Sequence, residues 1–272
     1  MQTLGIDLAT DPRKTAAASI SWPSSGPGEL TVHAPPLEDG NLIELIAAAD
    51  VAGIDAPLGW PEPFVRAVAG WHAGHGWSAN GNSADLQQRT TDQFVVERMR
   101  IVARDRGVRV PNRPMSVSAD RIGATAMRAA RIVDRLARLG GVPAAALDSS
   151  GVPPSRIAEV YPAAALFSWG FPSTGYKGGG LGEDARRDLV RKLTKAFAPI
   201  VKIEAGARGL MRSNDDVLDA VVAAVVTRAV AIGATYSPAG DEQVRLARAE
   251  GWIHIPRGPL SDIAPDGRPV SM

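Results

Sequence analysis

The stretch SNDDVLDAVVAAVV, residues 213–226, combines acidic residues with a run of small apolar residues. Its apolar residues recur with the period of a helix, and on a helical wheel Asp219 lies between Val222 and Val226. An isolated carboxylate among such neighbours is very costly, so it must be paired, hydrogen-bonded or bound to a cation. Asp219 is therefore a candidate functional residue.

Asp215 and Asp216, at the front of the same stretch, also have a simpler explanation. Ser213 can cap the helix, and Asp216 follows it at the three-residue spacing of a capping box. Acidic residues in the first turn also interact favourably with the positive end of the helix dipole. For these two acids, the structural and the functional interpretations are about equally good.

Two more aspartates end strand-like segments that nearly repeat each other. Residues 4–7, LGID, end in Asp7, and residues 52–55, AGID, end in Asp55. Ligands of α/β proteins bind in the crevice beyond the carboxyl ends of the strands. Either aspartate alone could simply cap a loop, but the two together with an acid-bearing helix favour a shared site. Glu159, in IAEVY, is a third acid in an otherwise apolar strand.

Carboxylates from separate segments repel one another in one cleft, and divalent cations remove that repulsion. Ligand sets made only of oxygen suit Mg²⁺ or Mn²⁺. The chain has no cysteine and only four histidines, so a zinc site is not expected. Two such ions about 4 Å apart can orient a water and stabilise the leaving oxygen in phosphodiester cleavage. The acids therefore predict metal-dependent chemistry of this kind.

The order of the elements predicts an α/β fold. Three closely spaced strands should form an antiparallel meander, and a helix then leads to a fourth strand that is parallel to a neighbour. A long irregular segment, with two helices, separates the fourth strand from the fifth. The predicted strands are residues 3–9, 15–22, 29–34, 51–56 and 156–161, with a possible last strand at 250–256; the predicted helices are residues 41–50, 92–106, 120–139 and 184–198 and the acid stretch.

A set of motifs in this order resembles a widespread family of uncharacterised proteins that are predicted to be ribonuclease H-like nucleases. The motifs are GIDLA, GIDAPLGWP, RTTD, EVYPAA, YK and SNDDVLDA, and they extend from Gly5 to about Pro256. The spacing DVLDA also resembles the D-x-x-D-A of RuvC-type Holliday-junction resolvases. The resemblance implies a single domain over residues 1–272, with a five-stranded mixed sheet, flanking helices and an insertion at 58–156.

The resemblance also implies a function and a site. The protein is expected to be a nuclease that uses two Mg²⁺ or Mn²⁺ ions and an activated water. The implied catalytic metal ligands are Asp7, Asp55, Asp216 and Asp219. Glu159 and Asp215 are expected to lie next to these ligands and to support them.

Arginines are concentrated between the fourth and fifth predicted strands. Residues 86–140 contain twelve arginines and five acids, whereas the whole chain has a net charge of only +1. Arginine binds phosphate in a bidentate manner, so this excess favours nucleic acid as the partner, although a solvated helix face is nearly as good an explanation. The residues expected to bind substrate are Arg89, Asp92, Arg121 and Lys177. Arg89 and Asp92 could equally form a structural salt bridge.

Two other functions remain open from the sequence. An actin-like ATP-dependent phosphotransferase would have the same core topology, and a non-catalytic nucleic-acid-binding protein could retain both the fold and the acids. The N-terminus has no basic region of a signal peptide, and no apolar run is long enough to span a bilayer, so we expect a cytoplasmic protein without a membrane partner. The sequence does not predict an oligomeric state.

Overall fold

A seven-stranded mixed sheet forms the centre of the computed structural model, which describes residues 1–77, 83–111, 113–139 and 147–264. The strands are β1 (Gln2–Asp7), β2 (Ala16–Ser21), β3 (Gly28–His33), β4 (Val51–Asp55), β5 (Ile157–Val160), β6 (Val201–Lys202) and β7 (Ile253–His254). Their order across the sheet is β6-β3-β2-β1-β4-β5-β7. The fold is therefore mixed α/β, as the sequence predicts.

Ten α-helices surround the sheet in the described ranges. They are α1 (Asp39–Ala48), α2 (Glu62–His72), α3 (Ser83–Gln87), α4 (Thr90–Arg106), α5 (Ile122–Arg138), α6 (Pro162–Ser168), α7 (Leu181–Phe197), α8 (Ala205–Ser213), α9 (Asp215–Ala231) and α10 (Gly240–Glu250). Short 3₁₀ helices occur at Pro12–Lys14 and Leu260–Ile263. The predicted helices all exist, with ends within about three residues of the expected positions, except that the helix of the acid stretch continues to Ala231, five residues beyond residue 226.

The first four strands pair as predicted. β1, β2 and β3 form an antiparallel meander, and β4 lies parallel to β1. The register of β1 and β4 places Asp7 directly beside Asp55. The two near-identical segments therefore end at the same level of the sheet.

The predicted number of five strands is wrong. β7 falls inside the possible last strand at residues 250–256 and extends the sheet beyond β5, whereas β6 was not predicted and pairs with the other edge at β3. Each of these two strands has only two residues. A segment so short cannot show the alternation of apolar and polar residues that identifies a strand.

The segment predicted as an insertion contributes to the central core. Helices α2 to α5 lie within residues 58–156. Helix α5 packs Ala129, Ile132 and Leu136 against the face of the sheet that carries Leu4 and Ile6. Helix α1 covers the same face. The sheet is thus covered on this side by one helix of the predicted core and one helix of the insertion.

Helix α9 lies against the opposite face of the sheet and is buried on all sides from Val217 to Thr227. It packs directly on β1 and β4 where each strand has a glycine. A Cβ atom on Gly5 would lie 2.0 Å from the backbone nitrogen of Ala224, and one on Gly53 would lie 2.1 Å from Oγ1 of Thr227. Only glycine fits at either position, because α9 approaches the strands so closely.

We predict that Gly5→Ala destabilises the fold by about 3 kcal/mol, the upper end of the usual cost of overpacking, because backbone atoms of α9 cannot move aside. The matched control is Gly209→Ala in α8, where a new Cβ atom meets nothing within 4 Å. That change should raise stability by up to about 1 kcal/mol through helix propensity. Urea unfolding monitored by circular dichroism measures both. Similar effects of the two substitutions would contradict the close approach of α9.

Candidate metal centre

Helix α9 begins one residue later than the capping-box interpretation predicts. Asn214 is the capping residue, and its Oδ1 accepts hydrogen bonds from the backbone nitrogens of Asp216 at 2.7 Å and Val217 at 3.2 Å. Ser213, the predicted cap, is instead the last residue of α8, where its hydroxyl donates to the carbonyl of Leu210. The prediction of the cap is therefore wrong, but the acids do lie in the first turns of the helix.

Asp219 is buried, with 1% of its surface exposed, and it has the partners that its position requires. The hydroxyl of Tyr176 donates to its Oδ1 at 2.8 Å, and Nζ of Lys177 lies 2.6 Å from its Oδ2. Both partners come from the loop before α7. A buried carboxylate is thus held by one neutral donor and one cation.

Asp7 and Asp55 join Asp219 at the carboxyl ends of β1 and β4. One carboxylate oxygen of each of the three residues lies within 4.8 Å of the others. The side chains of Asp7 and Asp55 are half-buried. Alternation along a strand places each on the same face as the glycine two residues before it, which is the face that packs on α9. These three carboxylates could hold a metal ion.

Asp216 and Asp215 lie beside this cluster but outside the group of three. Asp216 is half-buried, and its negative charge contributes to raising the pKa of Asp7. Asp215 points to Arg186, whose Nη1 is 3.4 Å from its Oδ1. The structure thus brings three of the four expected ligands together and places the fourth, Asp216, next to them.

Burial and mutual repulsion raise the pKa values of the clustered acids. Burial, with the charges of Asp219 and Asp55, raises the pKa of Asp7 well above its ordinary value. Burial is also the main cause that raises the pKa of Asp55 to about 7 and that of Asp216 to about 6. Burial likewise raises the pKa of Asp219, although the positive charge of Lys177 acts in the opposite direction. The cluster therefore holds more negative charge than the protein itself neutralises.

Lys177 carries the positive charge nearest to the three acids. Burial disfavours its charged form, but Asp219, Asp7 and Asp55 outweigh that effect and raise its pKa. The loop is fixed by Arg186, whose Nη1 donates to the carbonyl oxygens of Tyr176 at 2.8 Å and Gly178 at 3.0 Å. Sequence reasoning identified Lys177 but missed Tyr176 and Arg186.

Glu159, whose negative charge contributes to raising the pKa of Asp55, forms a buried ion network with Arg89 and Asp92. Arg89 lies 2.7 Å from Glu159 and 2.8 Å from Asp92, and it also donates to the carbonyl of Glu250. All five N–H groups of its guanidinium have acceptors inside the protein. Arg89 and Asp92 of the RTTD motif therefore make the structural salt bridge, and Arg89 has no donor left for a substrate.

A cleft of about 280 Å³ opens in front of the acids. It is lined by Asp7, Asp55 and Lys177, by Tyr161 and Ala163, and by residues of the 58–156 segment that include Pro114, Met115 and Ile122. Arg121 is exposed and directly precedes Ile122, but it is not among the residues that line the cleft. Of the residues expected to bind substrate, Lys177 and Arg89 line the cleft, and the guanidinium of Arg89 is fully paired inside the protein.

Several arginines of the 86–140 segment also have structural roles. Arg128 is buried and binds Asp39 at 2.8 Å and the carbonyl of Ala9 at 2.6 Å, and Arg131 binds the same aspartate. These contacts connect α5 to α1 and to the end of β1. The local excess of positive charge is thus only partly available to a ligand.

The fold and the site define an α/β protein with a carboxylate cluster at the ends of two adjacent parallel strands. The family model of a protein of unknown function, DUF429, matches residues 5–244. The chain belongs to this family, which agrees with the resemblance to an uncharacterised family. No curated protein and no solved structure matches the chain. No helix in the described ranges is long and apolar enough to cross a membrane.

We predict a pH dependence of stability that depends on Asp55. Its pKa of about 7 in the folded protein exceeds its ordinary value of 3.8, so the folded state binds a proton more tightly and loses stability as the pH rises from about 4 to above 7. Without divalent cations, the free energy of unfolding should decrease between pH 5 and 8 in both proteins, and the decrease should be smaller in Asp55→Asn than in the wild type by at least about 1 kcal/mol. Urea unfolding in EDTA measures this.

The control for this prediction is Asp241→Asn, which changes an exposed carboxylate at the start of α10 in the same way. It should follow the wild type at both pH values. If Asp55→Asn and the wild type lose the same stability between pH 5 and 8, Asp55 does not have the raised pKa.

Proposed function

We propose that the protein is a metal-dependent nuclease of the ribonuclease H-like class, which hydrolyses phosphodiester bonds of nucleic acid. The observation that carries this proposal is the convergence of Asp7, Asp55 and Asp219 within 4.8 Å. Asp219 lies more than 150 positions along the chain from both Asp7 and Asp55, yet the three carboxylates meet at one edge of the sheet although their mutual repulsion opposes it. Such an arrangement is typical of a site that binds cations.

The architecture supports the ribonuclease H-like class. The resemblance implies one acid on the first strand, one on the fourth and one or two on a late helix. Asp7 ends β1, Asp55 ends β4, and Asp216 and Asp219 lie on α9. The antiparallel β1–β3 and the parallel β4 agree with the mixed sheet that this class implies.

The residues of the site fit Mg²⁺ or Mn²⁺. Asp7, Asp55 and Asp219 would hold the ions together with Asp216, and all four offer only carboxylate oxygens, which these hard cations prefer. In the described ranges, the three clustered carboxylates face one ammonium, that of Lys177, so further positive charge is favourable there. When bound, a pair of such ions supplies activation of a water and neutralisation of the phosphate charge.

The other residues of the cleft would position the substrate. Lys177 reaches the acids from an exposed loop position, so its ammonium can leave Asp219 and bind a phosphate oxygen. Arg121, which is exposed directly before the cleft residue Ile122, would contact a second phosphate of the same strand. Tyr161 and Met115 form an apolar wall beside the acids, which limits the access of water from that side.

The central test is hydrolysis of single-stranded, duplex, hybrid and branched nucleic acids in the presence of Mg²⁺ or Mn²⁺. We expect cleavage of at least one substrate, and we expect Asp7→Asn and Asp219→Asn each to reduce its rate roughly 100-fold or more, since loss of one electrostatic stabiliser typically costs 10²–10³-fold. Asp241→Asn, exposed on α10, should retain full activity.

Two outcomes of this experiment would overturn the proposal. Turnover of ATP without strand cleavage would indicate a phosphotransferase. Binding of nucleic acid without cleavage, unchanged by Asp219→Asn, would indicate a non-catalytic binding protein.

We also predict that Lys177 competes with the metal for Asp219. Replacing it by methionine removes the ammonium that a cation must displace, so the Kd for Mn²⁺ should fall about threefold to tenfold, or about 0.7–1.4 kcal/mol. The cleavage rate should nevertheless fall, because the contact with phosphate is lost. Isothermal titration with Mn²⁺ measures the first effect. Lys195→Met, which removes an exposed lysine on α7, should bind Mn²⁺ like the wild type.

A further inference from the structure

A second cavity, of about 640 Å³, lies away from the acids. Helix α4, the segment after α6 and the segment that follows β7 form its walls. Its volume is within the range of about 300–1,000 Å³ that is usual for small-molecule sites. Among the residues that the structure describes, no acidic side chain lines it, whereas three arginines do: Arg98, Arg106 and Arg257.

None of these three arginines has a carboxylate partner in the described ranges. The Arg98 guanidinium lies over the rings of Tyr236 and Phe94, at 4.7 and 5.2 Å from their centroids. Arg106 donates only to the carbonyl oxygens of Phe167 and Ser168, and Arg257 only to that of Gly233.

The lack of acidic partners is informative because this protein pairs many of its arginines with acids. On the same helix α4, for example, Arg100 pairs with Glu97 and Arg104 with Asp105. The carboxylate of Asp262 packs close to Gly258 on the cavity wall, but it makes no ion pair with the three arginines. The cavity thus presents uncompensated positive charge.

The remaining walls are aromatic and apolar. Trp169, Phe171 and Tyr236 line the cavity together with Ile255 and Leu260. Guanidinium groups bind phosphate through paired, charge-assisted hydrogen bonds, and aromatic side chains stack on flat rings. A ligand that carries both a phosphate and an aromatic base matches both kinds of wall.

We propose that this cavity binds a nucleotide, with its phosphate at Arg98, Arg106 and Arg257 and its base against the aromatic side chains. The same chemistry could come from a free nucleotide or from the terminal nucleotide of a strand. Helix α6 separates the cavity from the acids: Tyr161 and Ala163 at its start line the acid cleft, and Ser168 at its end lines the cavity. Seven helical residues span roughly 10 Å.

The test is the binding of adenosine 5′-monophosphate, measured by isothermal titration in EDTA at constant salt. The wild-type protein should bind it, and adenosine, which lacks the phosphate, should bind at least tenfold more weakly. The double variant Arg98→Gln/Arg257→Gln should also weaken the binding at least tenfold. The control Arg100→Gln/Arg104→Gln removes the same charge from exposed positions on α4 and should bind like the wild type.

Two further experiments distinguish a free nucleotide from the end of a strand and control for misfolding of the double variant. A 5′-phosphorylated oligonucleotide that binds more tightly than the mononucleotide, and is also weakened by the double variant, would indicate a strand end; the reverse order would indicate a free nucleotide. Arg257→Gln alone changes an exposed side chain whose one hydrogen bond in the described part of the chain goes to the carbonyl of Gly233, and it should weaken binding without affecting folding.

The proposal is overturned if neither compound binds at millimolar concentration, if adenosine binds as well as its monophosphate, or if the double variant binds like the wild type. Asp219→Asn should leave this binding unchanged, so the experiment is independent of the proposed nuclease activity.

Discussion

The direct packing of α9 on β1 and β4 is the contact on which the site depends. Gly5 and Gly53 leave no side chain between helix and sheet, so the backbone of α9 lies against the strands. Thr3 of β1 fixes this approach by donating from its hydroxyl to the carbonyl of Ala224 in α9 at 3.2 Å. Because α9 runs antiparallel to β1, its first turns lie beside the carboxyl ends of β1 and β4. Asp219 is therefore placed beside the strand acids by backbone packing, whatever the cost in charge repulsion.

That cost distinguishes the cluster from an ordinary polar interior. Buried carboxylates are normally neutralised by a full set of partners, since an unpaired charge in the interior is expensive. Here Tyr176 and Lys177 satisfy Asp219, but Asp7 and Asp55 share the same ammonium only at longer range. The raised pKa values follow from this deficit: without another cation, the cluster reduces its charge by holding protons. This loss of stability accompanies a cluster of three carboxylates that could hold a metal ion.

The sequence predicted much of this arrangement because the key signals are local. The repeated glycine–apolar–aspartate pattern at Asp7 and Asp55 and the misplaced charge of Asp219 can each be recognised within a few residues. Contacts between distant segments could not be predicted in this way: nothing near Tyr176 indicates that its hydroxyl meets Asp219, 43 residues away. The cap was mispredicted for a related reason. Ser213 is a good capping residue by type, but α8 extends through it, so the extended backbone that a cap requires first occurs at Asn214.

Glu159 shows that a buried acid alone does not identify the site; what matters is whether the protein itself neutralises the charge of that acid. It lies one residue before the end of β5, an otherwise apolar strand next to β4, where it pairs with Ile54. Arg89, however, binds both of its carboxylate oxygens, and the backbone nitrogen of Leu58 adds a third hydrogen bond. This network connects the start of α4 to the sheet, and Arg89 neutralises the negative charge of Glu159. In the described part of the chain, Asp7, Asp55 and Asp219 have no arginine in that role: Asp219 is held by Tyr176 and Lys177, and Asp7 and Asp55 make no ion pair within 4 Å. The contrast between Glu159, which is fully compensated, and the neighbouring Asp7 and Asp55, which are not, supports a ligand at the latter two.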